Sequence, residues 1–236
     1  MTATQDKIQA RAQLFQLLAL GFLHPVAEFH QLMINGSYPL ALTRAAYRSY
    51  GIDSVIGQPD QPLERFEADY IHLFQMGDKG RPIVGLNAGD HEELLGSGSR
   101  PEFLLDYSAW YRHFGLTTSE DEHSNELPDH ISCQFELLAW LAHLEYSSQD
   151  NPDRQADYQR AQRDFTQRHV LEYLELLVAA LERTNDNSHT QKFFLNLSTL
   201  SLEAVSAMHK EFTKVHGGMR DKVITTDQTE PVNLWG

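Results

Sequence analysis

The sequence predicts an all-α fold: a single-domain helical bundle of roughly eight helices with a long glycine-rich hinge loop. Apolar residues recur at helical spacing along most of the chain, and no period-two alternation of useful length appears. One stretch, residues 76–100, interrupts this pattern with closely spaced glycines. With 236 residues the chain can bury a substantial core, which we place in residues 1–216 and follow with a polar tail, residues 217–236.

Four helices are predicted before the glycine-rich stretch. The first carries Ile8, Phe15 and Phe22 on one face, and Pro25 ends it because proline has no N–H to continue the hydrogen bonds of a helix. The fourth ends in a large apolar stripe. The predicted helices cover residues 5–23, 26–34, 38–50 and 62–75.

The interruption reads GDKGRPIVGLNAGDHEELLGSGSR from residue 77 to residue 100, and it predicts a loop that acts as a hinge. Its glycines would let the two halves of the chain part to admit a peptide, or exchange between two copies. The active form would then be a monomer or a domain-swapped dimer. The hinge glycines are Gly77, Gly80, Gly85, Gly89, Gly96 and Gly98.

Helical periodicity resumes after the hinge and continues to the polar tail. The third segment of this half carries Phe165, His169 and Tyr173 on one stripe, beside a second apolar stripe. The predicted ranges are residues 101–114, 128–146, 153–181 and 191–212.

Charge and cysteine content limit the partners and the compartment. The chain has 33 acidic and 19 basic residues, so its net charge of −14 repels nucleic acid and anionic membrane and attracts basic partners. Cys133 is the only cysteine, so no intramolecular disulfide forms. The start lacks the pattern of a secretion signal, and no apolar run is long enough to span a bilayer. We expect a cytoplasmic protein without stable membrane insertion.

The stretch NELPDHISCQFELLAWLAHLE, residues 125–145, concentrates polar groups before an apolar run. Pro128 suits the first turn of a helix, and a carboxylate at Asp129 complements the positive end of the helix dipole. Helical spacing places Asp129, Cys133, Glu136, Trp140 and His143 along one face. Two carboxylates on that face, about 10.5 Å apart, and a third at Glu126 indicate a site for a positively charged peptide.

Other chemistries fit the same stretch less completely. His130 and Cys133 could supply two ligands of a zinc site or a nucleophile and its base, but the chain has no HExxH or CxxC motif and no evident third member. We therefore expect no catalytic residue, no metal and no cofactor.

Two further classes of function stay open. One is a helical hydrolase or nucleotide-binding enzyme that uses the loops GDKGRP (residues 77–82) and GSGSRP (residues 96–101), although neither has the GxxxxGK[ST] spacing of a phosphate-binding loop. The other is a general scaffold with several unrelated partners.

Three motifs follow one another along the chain: FEADYIHLF (residues 66–74), ELPDH (residues 126–130) followed by FEL (residues 135–137), and FTQRHVLEY (residues 165–173). Together they resemble the TorD/DmsD/NarJ family of redox-enzyme maturation proteins, which are chaperones dedicated to molybdenum enzymes. The motifs occur in the family order, and the helical pattern fits the all-α family fold over nearly the whole chain.

The resemblance implies a chaperone that binds the catalytic molybdenum subunit of a dimethyl sulfoxide reductase-type enzyme, through its twin-arginine leader, its N-terminal segment or its apo fold. It would hold that subunit until the cofactor is inserted and delay its export. The candidate client-binding residues are Glu126, Leu127, Pro128, Asp129, His130, Glu136, Tyr70, Leu73, Phe74, Phe165 and His169.

Two departures from the common family pattern indicate a branch. The proline stands directly before the aspartate in Glu-Leu-Pro-Asp-His, and Tyr173 replaces an expected tryptophan. In both features the chain resembles the chaperones that serve the nitrate, selenate or chlorate reductases, or the ethylbenzene or dimethyl sulfide dehydrogenases.

Overall fold

The structure is a computed structural model that describes residues 3–77, 80–96, 98–116, 126–184 and 188–219. Throughout these residues the regular structure is helical, as the sequence predicts. The helices are α1 (Ala3–Gly21), α2 (Ala27–Ile34), α3 (Ser37–Tyr50), α4 (Leu63–Phe74), α5 (Glu92–Leu95), α6 (Arg100–His113), α7 (Ile131–Ser147), α8 (Pro152–Phe165), α9 (Leu171–Arg183) and α10 (His189–His216).

The all-α prediction is confirmed, and most predicted helix bounds lie close to those observed. A π-helical turn, Thr166–Val170, joins α8 to α9, so the predicted helix over residues 153–181 is continuous. With α8–α9 taken as one helix and the single turn α5 left out, the described residues contain eight helices, which agrees with the prediction. Within the described residues, no helix is long and apolar enough to cross a membrane. Residues 220–236 of the predicted tail lie outside the described residues.

The centre of the bundle is α7, which packs most extensively against α1. Phe15 of α1 and Phe135 of α7 are fully buried, with their ring centroids 6.1 Å apart. The helix is apolar nearly all round, as expected of a helix enclosed by others. Ser132, in the first turn of α7, donates a hydrogen bond of 2.9 Å to the carbonyl of Ala19. This bond joins the start of α7 to the last turn of α1.

A second aromatic cluster joins α4 to α10. Phe66, Tyr70 and Phe74 follow one another along α4 and contact Phe194 of α10, with ring centroids 4.7 to 6.0 Å apart. The Tyr70 hydroxyl donates a hydrogen bond of 3.0 Å to the carbonyl of Phe22, so this buried phenol has its polar group satisfied.

A buried ion pair ties four helices together. Arg11 of α1 and Glu145 of α7 are each 1% exposed and form a salt bridge. Gln159 and Gln162 of α8 both donate to the Glu145 carboxylate at 2.8 Å. The Arg11 guanidinium also lies 4.8 Å from the centroid of the Phe212 ring in α10. These contacts compensate for the burial of both charges, which is costly unless they are paired.

Substituting Arg11→Met should lower the free energy of unfolding by about 3–5 kcal/mol, because Glu145 would then be a buried charge without its cation. Chemical denaturation measures this loss. The double variant Arg11→Met/Glu145→Met should recover most of it, since neither charge remains.

The matched control is Lys7→Ala, which breaks the ion pair of Lys7 with Glu211, whose side chains are both 36% exposed. Its cost should stay below about 1 kcal/mol, as is usual for exposed pairs. Equal losses in Arg11→Met and Lys7→Ala would contradict the structural role of the buried pair.

Candidate functional site

The carboxylate of Asp129 holds the middle of the glycine-rich stretch against the start of α7. Asp129 is fully buried, and its Oδ2 accepts a hydrogen bond of 2.7 Å from the backbone N–H of Gly89. The carbonyl of Asp129 also accepts the N–H of Ala88 at 3.1 Å. Residues 83–90, which we call the docked segment, are thus bonded to the bundle in the middle of the predicted hinge.

Three of the predicted hinge glycines lie where the backbone passes very close to other atoms. A Cβ added at Gly89 would lie 2.9 Å from Oδ2 of Asp129. One at Gly85 would lie 2.5 Å from the Cβ of Asp90, and one at Gly77 would lie 2.8 Å from a backbone carbonyl oxygen. These contacts require glycine for close approach. Motion about the predicted hinge residues stays a prediction.

His130 sets the true start of α7. Its Nδ1 accepts a hydrogen bond of 3.2 Å from the N–H of Ser132, so the side chain caps the helix and the first helical residue is Ile131. The predicted start at Pro128 is therefore wrong by one turn. Pro128 instead precedes the cap, and its carbonyl accepts the hydroxyl of Tyr111.

Burial shifts the pKa values of the residues in this turn. It raises the pKa of Asp129, while the Gly89 N–H and the Arg100 guanidinium act in the opposite direction. Burial lowers the pKa of His130 to about 4, although the charge of Asp90 favours protonation. The imidazole is therefore neutral at pH 7, which its role as a hydrogen-bond acceptor requires.

A groove of about 1050 Å³ opens on the other side of the same turn. It lies between α1, the start of α2 and the exposed face of α7. The predicted polar face of α7 is confirmed as one wall, apart from Asp129, which lies before the helix. The residues that α7 contributes to the groove include Cys133, Glu136, Trp140 and His143. Those from α1 and the turn after it include Gln16, Ala19, Leu20, Leu23 and His24.

Two carboxylates, Glu126 and Glu136, lie in the wall of this largely apolar groove. Burial raises the pKa of each, and His24 partly opposes the shift at Glu126. Burial also raises the pKa of Cys133 to about 12, so its side chain is a neutral thiol. Among the described residues, the lining includes no lysine or arginine.

The structure separates the predicted site residues into two groups. Glu126 and Glu136 line the groove, and Leu127 beside them is 42% exposed. The others, except the half-buried Pro128, are enclosed: Tyr70, Leu73, Phe74, Asp129, His130, Phe165 and His169 are all buried. A binding role for any of these residues stays a prediction.

Sequence reasoning missed the wall that α1 and α2 supply. Leu20 and Leu23 line the groove, and Val26 at its rim is 52% exposed. The helical repeat assigns Leu20 and Leu23 to a core-facing helix, and nothing in the repeat distinguishes a groove wall from a core. The sequence around Pro25 gave no local signal of this wall, because Val26 falls within a predicted helix.

The described residues form an all-helical fold with an acidic, apolar-lined groove. In the described part of the chain, no group of three or more His, Cys, Asp and Glu side chains could hold a metal ion. Residues 41–179 match the family model described as the nitrate reductase delta subunit, and the chain belongs to this family.

The curated relatives are assembly chaperones. The dimethyl sulfide dehydrogenase assembly chaperone protein of Rhodovulum sulfidophilum is 36% identical over 194 residues, which cover 78% of this chain and 75% of the relative. The perchlorate reductase assembly chaperone protein of Dechloromonas aromatica (strain RCB) is 30% identical over 214 residues, 87% of this chain and 91% of the relative. The chlorate reductase assembly chaperone protein of Ideonella dechloratans is 31% identical over 185 residues, with coverages of 78% and 83%. No solved structure gives a significant match.

The neutral, buried state of His130 predicts a pH dependence of stability. Its pKa is about 4 in the folded chain and 6.5 in the unfolded chain, so the unfolded chain binds a proton first as the pH falls. The stabilisation from this residue is therefore complete above pH 6.5 and is lost between pH 6.5 and about 4. Over this range His130 lowers the free energy of unfolding by at most ~1.4 kcal/mol per pH unit.

His130→Asn tests this dependence, because asparagine also caps helices well but does not titrate. The free energy of unfolding of the variant should fall less steeply than that of the wild type over this pH range. Parallel pH profiles would show that His130 does not contribute to the pH dependence.

Proposed function

We propose that this protein is an assembly chaperone for the catalytic subunit of a molybdenum enzyme of the dimethyl sulfoxide reductase type. The observation that carries the proposal is the similarity over most of both chains to relatives named as assembly chaperones for dimethyl sulfide dehydrogenase and perchlorate reductase. The chaperone binds the unfinished subunit in the cytoplasm, holds it until the cofactor is inserted, and acts without catalysing a reaction.

The groove beside α7 is the proposed surface for part of the client. From Cys133 to His143 the wall runs about 15 Å along the helix axis, at 1.5 Å per residue. This length matches about ten residues of a client helix, whose apolar face would pack on Leu20, Leu23 and Trp140. Aromatic and aliphatic side chains of this kind supply most of the binding energy of helix-in-groove complexes.

Charge selects the client segment. Glu126 is half-buried and Glu136 is exposed in the groove wall, so a lysine or arginine of the client that pairs with Glu126 is partly withdrawn from water. Such pairs contribute more than fully exposed ones. The net charge of −14 attracts a basic segment over longer distances and speeds its association.

The enzyme alternative draws no support from the family relationship, whose named relatives are chaperones. In the proposed second phosphate loop Ser99 caps α6, and Arg100 bonds to Gly89 and Asp90 of this chain. Residues 78, 79 and 97 of the two loops lie outside the described residues.

The test is calorimetric titration of the protein with cofactor-free catalytic subunits of nitrate, selenate and chlorate reductases and of dimethyl sulfide dehydrogenase. One subunit should bind with micromolar or tighter affinity. Substituting Glu126→Gln/Glu136→Gln should weaken that complex at least tenfold, or by about 1.4 kcal/mol, because the client cations lose their partners.

The control Glu172→Gln/Glu175→Gln removes the same charge from the exposed face of α9. It should leave the affinity within about twofold, because exposed charges act weakly. Absence of binding to every subunit would overturn the proposed function. Equal weakening by both double variants would leave the function and remove the groove as the binding surface.

A further inference from the structure

The outer face of α3 presents large apolar and basic side chains to solvent. Leu40 and Tyr47 are 51% and 64% exposed, and Arg44 and Arg48 are exposed beside them. At 100° per residue these four positions fall within a stripe about 100° wide, which we call the α3 stripe. The opposite face of the helix is buried against the bundle. The α3 stripe is therefore an apolar and basic surface on a helix that is held firmly in place.

This part of the chain differs in charge from the rest of the molecule. Residues 29–52 contain no aspartate or glutamate, although the chain has 33 acidic residues. Neither Arg44 nor Arg48 forms an ion pair within the described residues. The two arginines attract a surface that carries carboxylates, whereas the net charge of −14 repels nucleic acid and anionic membrane from the molecule as a whole. A protein surface with carboxylates is thus the partner that both charges favour.

The groove beside α7 has the complementary composition. Its wall combines the carboxylates of Glu126 and Glu136 with the apolar side chains of Leu20, Leu23 and Trp140. None of the side chains in the α3 stripe lines the groove of its own copy. The stripe is about 12 Å long at 1.5 Å per residue, so it fits the length of the α7 wall. Both surfaces are present on every molecule of this protein.

We propose that the α3 stripe of one copy docks in the groove of a second copy of this chain. Leu40 and Tyr47 pack on the apolar wall, and the two arginines pair with Glu126 and Glu136. The stripe thus presents the chemistry that the groove favours in a client helix, namely apolar side chains with a neighbouring cation.

Two features make this contact weaker than the complex with a client helix. Because α3 is packed on its own bundle, only its outer face enters the groove, and small interfaces are typical of transient association. The net charge of −14 on each copy also opposes the approach. Charges separated by more than ~8 Å are largely screened at physiological ionic strength, so the close pairs in the groove outlast the general repulsion.

The contact between copies regulates access to the groove. It covers an apolar surface that would otherwise bind unrelated proteins while no client is present. A client helix that binds more tightly displaces the second copy, because both use the same carboxylates. This regulatory role rests on the proposed function, whereas the contact itself can be measured without a client.

The experiment is sedimentation velocity of the full chain over a series of protein concentrations. The wild type should shift from monomer to a larger species as the concentration rises. Arg44→Gln/Arg48→Gln should raise the dissociation constant about tenfold, because both ion pairs are lost. Glu126→Gln/Glu136→Gln should raise it by a similar factor, although this variant has a smaller net charge and general repulsion alone would make it associate more tightly.

The control Arg154→Gln/Arg183→Gln removes two exposed arginines from other helices and has the same net charge as the α3 variant. Its dissociation constant should stay within about twofold of the wild-type value, because exposed charges act weakly. Cooperative thermal unfolding confirms that each variant is folded.

A mixture of the two variants tests which surfaces meet. Arg44→Gln/Arg48→Gln keeps an intact groove, and Glu126→Gln/Glu136→Gln keeps an intact α3 stripe. The mixture can therefore form one complete contact, and it should associate more tightly than either variant alone.

A wild type that sediments as a monomer at every concentration would overturn the proposal. So would a mixture that associates no better than its components, or a control that is weakened as much as the α3 variant. These outcomes leave client binding to the titration with catalytic subunits. A catalytic subunit that binds without dissociating the self-associated chain would overturn the regulatory role and leave the contact between copies.

Discussion

The burial of the Asp129 carboxylate is the constraint on which this end of the molecule depends. A buried charge is tolerated only where hydrogen bonds replace water, and here the replacement is the N–H of Gly89. The bond requires a residue without a Cβ at position 89, since an added Cβ would lie 2.9 Å from the carboxylate oxygen. The path of the docked segment and the position of the turn before α7 both follow from this contact.

The groove depends on the same turn from its other side. Glu126 enters the groove wall three residues before Asp129, and Ser132 joins α7 to α1 three residues after it. The buried pair of Arg11, in the middle of α1, and Glu145, near the end of α7, joins the same two helices at a second level. The groove is therefore a gap between helices that are joined at two levels, and these contacts largely set its shape.

The sequence predicted the all-α fold and most helix bounds, because the spacing of apolar residues shows which face of each helix is buried. The residues between those apolar positions then showed which face of α7 is less buried. It could not place the docked segment, because alternation over Val84, Leu86 and Ala88 is too short to stand out and the adjacent glycines read as a hinge. The sequence placed Asp129 in the first turn of the helix, on the face expected to bind a charged peptide, because nothing local reveals that a glycine forty residues earlier in the chain bonds to it.

The docked segment and the groove share one turn, so a change in one affects the other. If the docked segment moved away, the N–H of Ile131 would need a new acceptor in place of Leu86, and the cap at His130 would have to follow. Glu126 lies 3.6 Å from the His130 ring, so its carboxylate in the groove would shift with that cap. The position of a carboxylate in the groove is therefore coupled to the path of the docked segment through a single helix cap.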